Sequence, residues 1–284
     1  MPKSALTPTS ATPTDHLSAR GQPSLRVSCI IPTHNRRERL SAALASVTAQ
    51  TTPVDEIVVI DDGSTDGTFE MLQAWREEVG QIHFAVLRQN NRGPAAARNA
   101  GMRVASGDLI AFLDDDDVWH AGKMARQLAV FTDHPNLALL ACSSDTLSLP
   151  GRPGLRFVDD RDLLIRNRFL TPCVVVRRDI VVQCGGFPEG MRHCEDYALW
   201  LRIAARHNCA FLNETLVSCG KGKPAFGHSG LSADLAALYA GEREALRRWR
   251  KECDAGLPAF TLAQLLAGIR HLRRRAVSTW HKSR

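Results

Sequence analysis

The sequence predicts an α/β domain, a mostly parallel sheet with helices on both faces, followed by a C-terminal helical appendage. Three observations predict it. From Val27 onward, short apolar runs alternate with amphipathic stretches, the β-α-β order that builds a parallel sheet. Polar clusters follow those runs at 32–36, 61–66 and 114–117, and ligands of open parallel sheets sit beyond the carboxyl ends of the strands. Beyond about Leu231 the chain becomes rich in Leu, Ala and Arg.

Val27 to Ile31 reads as a buried strand, and Arg37 to Gln50 carries Leu40, Ala43, Leu44 and Val47 on one helical face. Glu56 to Ile60 is a second strand, with Asp66 expected to cap a helix running through Val79. Ile82 to Leu87 is a third strand. Gly93-Pro94 opens an Ala-rich helix to about Ala105, with Pro in the first turn where its missing N–H costs little. Leu109 to Leu113 is the fourth strand, followed by a helix over Ala121–Thr132 and a strand over Leu137–Cys142. Ser143 to Asp162 reads as a loop. Leu170 to Val176 is a strand, Gly185-Gly186-Phe187-Pro188 a turn, and Glu195 to His207 a helix with Leu199, Ile203 and Ala204 inward. Trp200 is expected in the core. Leu231–Lys251 and Thr261–Ala276 are helical. The expected organisation is a disordered leader over 1–24, an α/β domain over 25–222 and a basic helical extension over 223–284.

At 284 residues, with 44% hydrophobic and 23% charged content, the chain suits a soluble globular protein of one domain plus an appendage. No apolar stretch approaches the roughly 20 residues of a membrane span. Residues 1–24 are rich in Ser, Thr and Pro and lack the apolar segment of a secretory signal. Eight cysteines are scattered without a Cys-x-x-Cys pair, which points to a reducing, cytoplasmic setting and away from a zinc site. The net charge of +6 is uneven: residues 221–284 hold 13 Lys and Arg against 5 Asp and Glu, and the rest holds 23 against 25.

Four aspartates, Asp114 to Asp117, follow directly on the fourth strand. Adjacent carboxylates repel one another and resist burial, so the run either stands in solvent or meets a cation. Mg²⁺ and Mn²⁺ favour carboxylate oxygens and share them with substrate phosphates. After the first strand come Pro32-Thr33-His34-Asn35-Arg36. Thr33 and Asn35 can hydrogen-bond a base or cap a helix, and His34 can stack on a base. After the second strand, Asp61 and Asp62 can accept from a base N–H or a ribose hydroxyl, or can simply form an Asx turn. Arg98 lies one turn into the Ala-rich helix, facing a base, phosphates or water.

Together these segments carry a resemblance. Ile30-Ile31-Pro32-Thr33-His34-Asn35-Arg36, Val59-Ile60-Asp61-Asp62-Gly63-Ser64-Thr65-Asp66, Gly93-x-x-x-Ala97-Arg98-Asn99 and Phe112-Leu113-Asp114-Asp115-Asp116-Asp117 occur in order, and the stretch from about Leu25 to Gly220 resembles glycosyltransferase family 2. The resemblance implies the Rossmann-like GT-A fold, a nucleotide-diphosphate sugar donor, Mg²⁺ or Mn²⁺, and inversion at the anomeric carbon. By resemblance, Thr33, His34 and Asp62 contact the base with help from Arg98. Asp114, Asp115 and Asp116 fall on the metal motif, with Asp116 the direct ligand, Asp114 or Asp115 on the ribose or a metal-bound water, and Asp117 orienting its neighbours. The family often has Tyr or Phe where His34 stands. His193-Cys194-Glu195-Asp196-Tyr197 resembles the family's Glu-Asp motif at a helix start, with Asp196 the general base and Glu195 a second candidate. A helix N-terminus is expected to lower the pKa of a carboxylate there, which runs against a strong base. The resemblance favours a UDP-sugar, with GDP and dTDP sugars open. It also implies a glycan or lipid-linked acceptor of the kind used in cell-envelope polysaccharide synthesis.

Rival readings lack their signatures. A dehydrogenase would need Gly-x-Gly-x-x-Gly after the first strand, and an NTPase the Gly-x-x-x-x-Gly-Lys-[Ser/Thr] loop; neither is present. A nucleotidyltransferase would carry a Gly- and basic-rich loop where Pro32-Thr33-His34-Asn35 stands. A catalytically inactive nucleotide-sugar binder would not need both the acidic run and Glu195-Asp196. The basic tail, with Arg247-Arg248-Trp249-Arg250-Lys251, Arg270 to Arg275 and Trp280, is expected to meet an anionic membrane surface at the inner face of the cytoplasmic membrane, to pack on the domain, or to form a homodimer. No nucleic-acid reader motif accompanies it. Lys221, Lys223 and His228 can close over the donor pyrophosphate, with a flexible linker the default expectation for the segment.

Overall fold

A computed structural model describes residues 25–76, 80–149, 151–219 and 234–282. The expected 1–24 leader, the helix end at Val79, the 222/223 boundary and Lys221, Lys223 and His228 lie outside the described residues. In chain order the elements are β1 (Val27–Thr33), α1 (Arg37–Thr48), β2 (Glu56–Asp61), α2 (Thr68–Trp75), β3 (His83–Arg88), α3 (Pro94–Val104), β4 (Leu109–Phe112), β5 (Val118–Trp119) and α4 (Lys123–Asp133). They continue with β6 (Leu139–Ser144), β7 (Leu155–Val158), α5 (Asp160–Ile165), a 3₁₀ turn (Thr171–Cys173), β8 (Val174–Arg177), α6 (Arg178–Gln183), α7 (Glu195–Ala204), β9 (Cys209–Ser218), α8 (Leu235–Glu252) and α9 (Leu257–Lys282).

Among the described residues one nine-stranded sheet runs β3-β2-β1-β4-β8-β6-β9-β5, with β7 added on β9. The half formed by β3, β2, β1 and β4 is parallel, as expected. Beyond it the sheet is mixed: β8 is antiparallel to β4 and β6, and β5 and β7 are antiparallel to β9. Three expectations are corrected. The loop expected over Ser143–Asp162 contains β7 and the start of α5. The run from Leu170 begins as a 3₁₀ turn, with Pro172 inside it, before β8. Asp66 does not cap α2: Gly67, with φ of 82°, takes the cap position, and Asp66 instead accepts from Thr68 N (3.1 Å) and Arg37 N (3.2 Å), tying α1 to α2.

Strand alternation divides the core in two. Cys29 and Ile31 of β1 pack with Leu40, Leu44 and Val47 of α1 and with Met124 and Phe131 of α4. Ile30 faces the other way, with Val58, Ile60, α3 and α7. There Phe112, Phe187 and Trp200 pack ring against ring at 5.2–6.1 Å, and Trp200 is fully buried, as expected. Helix α3 lies tight on the sheet because Gly101 has no side chain: a Cβ there would stand 2.7 Å from both Ile30 and Ile60. Helices α8 and α9 extend the same core, burying Ala245, Leu246, Trp249, Ala263 and Ala267. Trp249 Nε1 donates to Asp160 at 2.9 Å, and Arg270 donates to Leu164 O and Ile165 O. The tail therefore packs on the domain.

Candidate active site

The polar ends of β1, β2 and β4 meet the start of α7 at one edge of the sheet. The end of the β1–β4 pairing has a backbone cause. Ile30 O accepts from Leu113 N at 3.1 Å, so even positions of β1 direct their backbone groups towards β4. Two residues on, Pro32 has no N–H to offer, and there β4 gives way to the acidic run. Pro32 itself is buried in β1, opposite Ile60.

At the β1–β2 corner the predicted residues brace one another. Asn35 adopts φ of 52°, a left-handed conformation that Asn tolerates better than most residues. Its N–H donates to Ser64 Oγ (2.9 Å) and its Oδ1 accepts from Thr65 N (2.8 Å), locking the two loops together. His34 Nδ1 donates to Asp62 O at 2.8 Å, a carbonyl that can only accept; Nε2 then accepts from the Asn35 and Asn91 amides. Asp61 is fully buried, accepting from Ser64 N at 2.9 Å and lying 3.3 Å from Arg88 Nε. It shapes the turn. Asp62 accepts from Gln89 Nε2 (2.7 Å), Arg92 N (2.9 Å) and Gly93 N (2.8 Å). A carboxylate offers about four acceptor positions, so Asp62 keeps room for one more donor.

The acidic run bridges β4 and β5. Thr33 Oγ1 donates to Asp115 Oδ2 at 2.8 Å. Burial, reinforced by Asp116 and Asp114, pushes the Asp115 carboxyl up to about 6 against the pull of Thr33 and Arg36. Asp116 lies 3.3 Å from Arg39 and 3.8 Å from Arg36. Asp117 is buried, and its N–H closes the turn onto Asp114 O at 3.1 Å. Among the described residues no three His, Cys, Asp or Glu side chains form a ready cation cage.

Arg98 joins this run to α7. It is buried and donates to Asp114 Oδ1 at 2.5 Å and to Glu195 Oε1 at 3.1 Å, with its guanidinium 5.3 Å over the Phe187 ring. Burial disfavours its charge, but Asp114 and Glu195 more than offset this and raise its pKa. Beside Glu195, Asp196 accepts from Tyr197 N (2.6 Å) and Thr171 Oγ1 (3.4 Å). The expectation that the helix end lowers its pKa is corrected. Burial first, then the Glu195 carboxylate, push Asp196 up to about 7, outweighing Tyr197 N–H and Arg98. The turn into α7 is strained, since Cys194 carries φ of 59°. Its thiol donates to Leu238 O of α8 at 3.6 Å.

The structure thus gathers Thr33, Arg36, Arg98, Asp114, Asp115, Asp116, Glu195 and Asp196 into one linked network, with His34, Asn35 and Asp62 on the adjoining corner. Sequence reasoning missed Arg39, Gln89 and Asn91, and assigned Thr171 no chemistry. Arg39 was discoverable, since it lies three residues after Arg36 and shares its helical face. Gln89 had no local signal, whereas the Leu170-Thr171-Pro172-Cys173-Val174 segment resembles a family strand that lines the acceptor side.

A half-parallel sheet whose first strands end in a polar, hydrogen-bonded corner, and whose fourth ends in an acidic run facing a helix-borne acid pair, has the architecture of the GT-A fold. The family described as "Glycosyl transferase family 2" matches residues 28–155. A UDP-Glc:alpha-D-GlcNAc-diphosphoundecaprenol beta-1,3-glucosyltransferase, WfgD of Escherichia coli, is 31% identical over 191 residues, covering 66% of this chain and 73% of that protein. The chain belongs to glycosyl transferase family 2. An uncharacterized glycosyltransferase of Rickettsia felis is 32% identical over 197 residues, but the aligned stretch covers 67% of this chain and only 32% of that longer protein. Among solved structures, the mannosyltransferase PcManGT from Pyrobaculum calidifontis, in complex with GDP-Man and Mn2+, has a TM-score of 0.63 at 20% identity, covering 89% of this chain and 76% of that one.

Proposed function

We propose that the protein is an inverting glycosyltransferase that moves a sugar from a UDP-sugar to a hydroxyl of a lipid-linked or other cell-envelope glycan. The observation that carries this reading is the Arg98 bridge, which couples the acidic run to Glu195 and leaves Asp196 beside them with its carboxyl pushed up to about 7. A base with a pKa near the working pH is the effective kind. Asp196 takes the proton of the acceptor hydroxyl as its oxygen forms the new bond to the anomeric carbon. The bond to the donor phosphate breaks, and its electron pair leaves with the nucleoside diphosphate. Arg98 and Glu195 hold the two halves of the site in register. Thr33, His34 and Asp62 border the base, and the free acceptor position on Asp62 suits a base N–H.

A divalent cation fits the acidic run. The donors are carboxylate oxygens, the set preferred by Mg²⁺ and Mn²⁺, and too few converge to hold an ion without oxygens from the substrate, the usual situation for such ions at phosphate sites. Asp116 and Asp114 would hold it. It would supply Lewis-acid stabilisation of the departing diphosphate. Arg36 and Arg39 lie against Asp116 and would be available to donor phosphates with a cation held there.

The UDP preference and the lipid-linked acceptor rest on WfgD, whose name gives both; the GDP-Man bound to PcManGT keeps the nucleoside open. Eight free cysteines fit a reducing, cytoplasmic setting. UDP release from UDP-glucose and UDP-GlcNAc, with and without Mn²⁺, tests the reading. Metal-stimulated release supports it. Tight UDP binding without release from either donor would leave a nucleotide-binding protein instead.

A further inference from the structure

Helix α9 turns Ala263 and Ala267 inward and pairs Arg270 and Arg274 with the buried Glu242 of α8 at 2.6 and 2.9 Å. Among the described residues its opposite side is apolar and uncovered. Leu262, Leu265, Ile269 and Leu272 are 57%, 61%, 54% and 64% exposed. At 100° per residue their 3-4-3 spacing confines them to an arc of about 80°, on the side away from Ala263 and Ala267. Single exposed leucines are ordinary, whereas a continuous stripe marks a contact surface.

The charge pattern selects the occupant. Residues 257–282 contain no Asp or Glu, and Arg273 and Arg275 stand exposed on either side of the stripe. A second copy of α9 would match the heptad spacing. It would bring no acid to the flanking positions, however, in parallel or antiparallel register, and would leave Arg facing Arg or neutral residues. An anionic lipid surface complements both features, taking the leucines among its acyl chains while the arginines reach its phosphates. The α8–α9 turn adds a cleft of about 560 Å³ lined by Arg247, Arg250 and Lys251, with one acid, Asp254.

We propose that the outer face of α9, through Leu262, Leu265, Ile269 and Leu272, seats the protein on an anionic lipid bilayer. This lies beyond the glycosyl-transfer reading and stands independently of it, because vesicle binding needs no turnover. Among the described residues no helix is long and apolar enough to cross a membrane, so contact is in the plane of the interface. Removing residues after Leu231 would strip Leu246 and Trp249 from the core, so point variants are the cleaner probe. Flotation of the full chain is measured with phosphatidylcholine vesicles and with vesicles carrying 30% phosphatidylglycerol, alongside Leu265→Glu/Ile269→Glu and the protein's oligomeric state. Binding to the anionic vesicles only, weakened by salt and at least tenfold lower in the double variant at unchanged Tm, is the expected result. No binding to either vesicle overturns the proposal, as does equal binding by the variant. A dimer that the variant converts to monomer, with no effect on flotation, assigns the stripe to a second copy and also overturns it.

Discussion

Gly241 of α8 sits against the turn that leads into the acid pair, and an alanine there measures how firmly the C-terminal helices set the active site. Its Cβ would stand 2.5 Å from His193 O, 2.8 Å from His193 Cβ and 2.9 Å from the His193 carbonyl carbon. Comfortable carbon contacts begin at about 3.5 Å, so the turn and helix must part by about 1 Å. Overpacking of this kind costs about 1–3 kcal/mol, while Ala in place of Gly inside a helix gains about 1 kcal/mol. The clash wins, and Gly241→Ala should be less stable by up to about 2 kcal/mol in denaturant titration. The displaced segment continues through Cys194, at φ of 59°, into Glu195 and Asp196. A misplacement of about 1 Å at a reacting group can cost about 10²-fold in rate. Steady-state kinetics should show kcat falling while KM for the sugar nucleotide changes little, since Thr33 and Asp62 lie on other elements. A variant that gains about 1 kcal/mol and keeps its kcat would mean that α8 exerts no hold on the turn.

In its proposed role as the base, Asp196 would act only when deprotonated, and its carboxyl is pushed up to about 7. Turnover should therefore fall as pH drops below about 7, approaching tenfold per pH unit on the acid side; a flat profile from pH 5 to 8 would contradict that role. Glu195→Gln removes a carboxylate that raises Asp196, so it should move the acid limb to lower pH, and a limb that stays or moves up would count against the coupling. Asp116→Asn should weaken the Mn²⁺ dependence of turnover at least tenfold. Asp117→Asn should act through stability, because Asp117 is buried; equal loss of Mn²⁺ response in both would remove the distinction between them.

The parallel half of the sheet was legible because its signals are local. Each of β1, β2 and β4 is a short buried run, and α1 repeats its apolar face every turn. The mixed half was legible only in part: the runs read at Leu137–Cys142 and Leu170–Val176 overlap β6 and β8, while β5, β7 and β9 went unread. β5 is two residues long, β7 is half exposed amid Gly and Pro, and the β6–β9 register shifts between Cys142 and Ser144, so none shows a sustained period. At the site, residue types were readable but partners were not. Arg98 meets Glu195 across 97 positions of sequence, and nothing near Gly241 announces His193. The Asp196 pKa was misjudged because a helix end is visible in sequence, whereas the burial that outweighs it is not.

UDP release from UDP-glucose in the presence of Mn²⁺, compared between the native chain and Asp196→Asn at matched UDP affinity, addresses the proposed chemistry at its centre. Release by the native protein, reduced at least a hundredfold in the variant with UDP binding retained, is expected if Asp196 is the base. Undiminished release by Asp196→Asn would contradict that role.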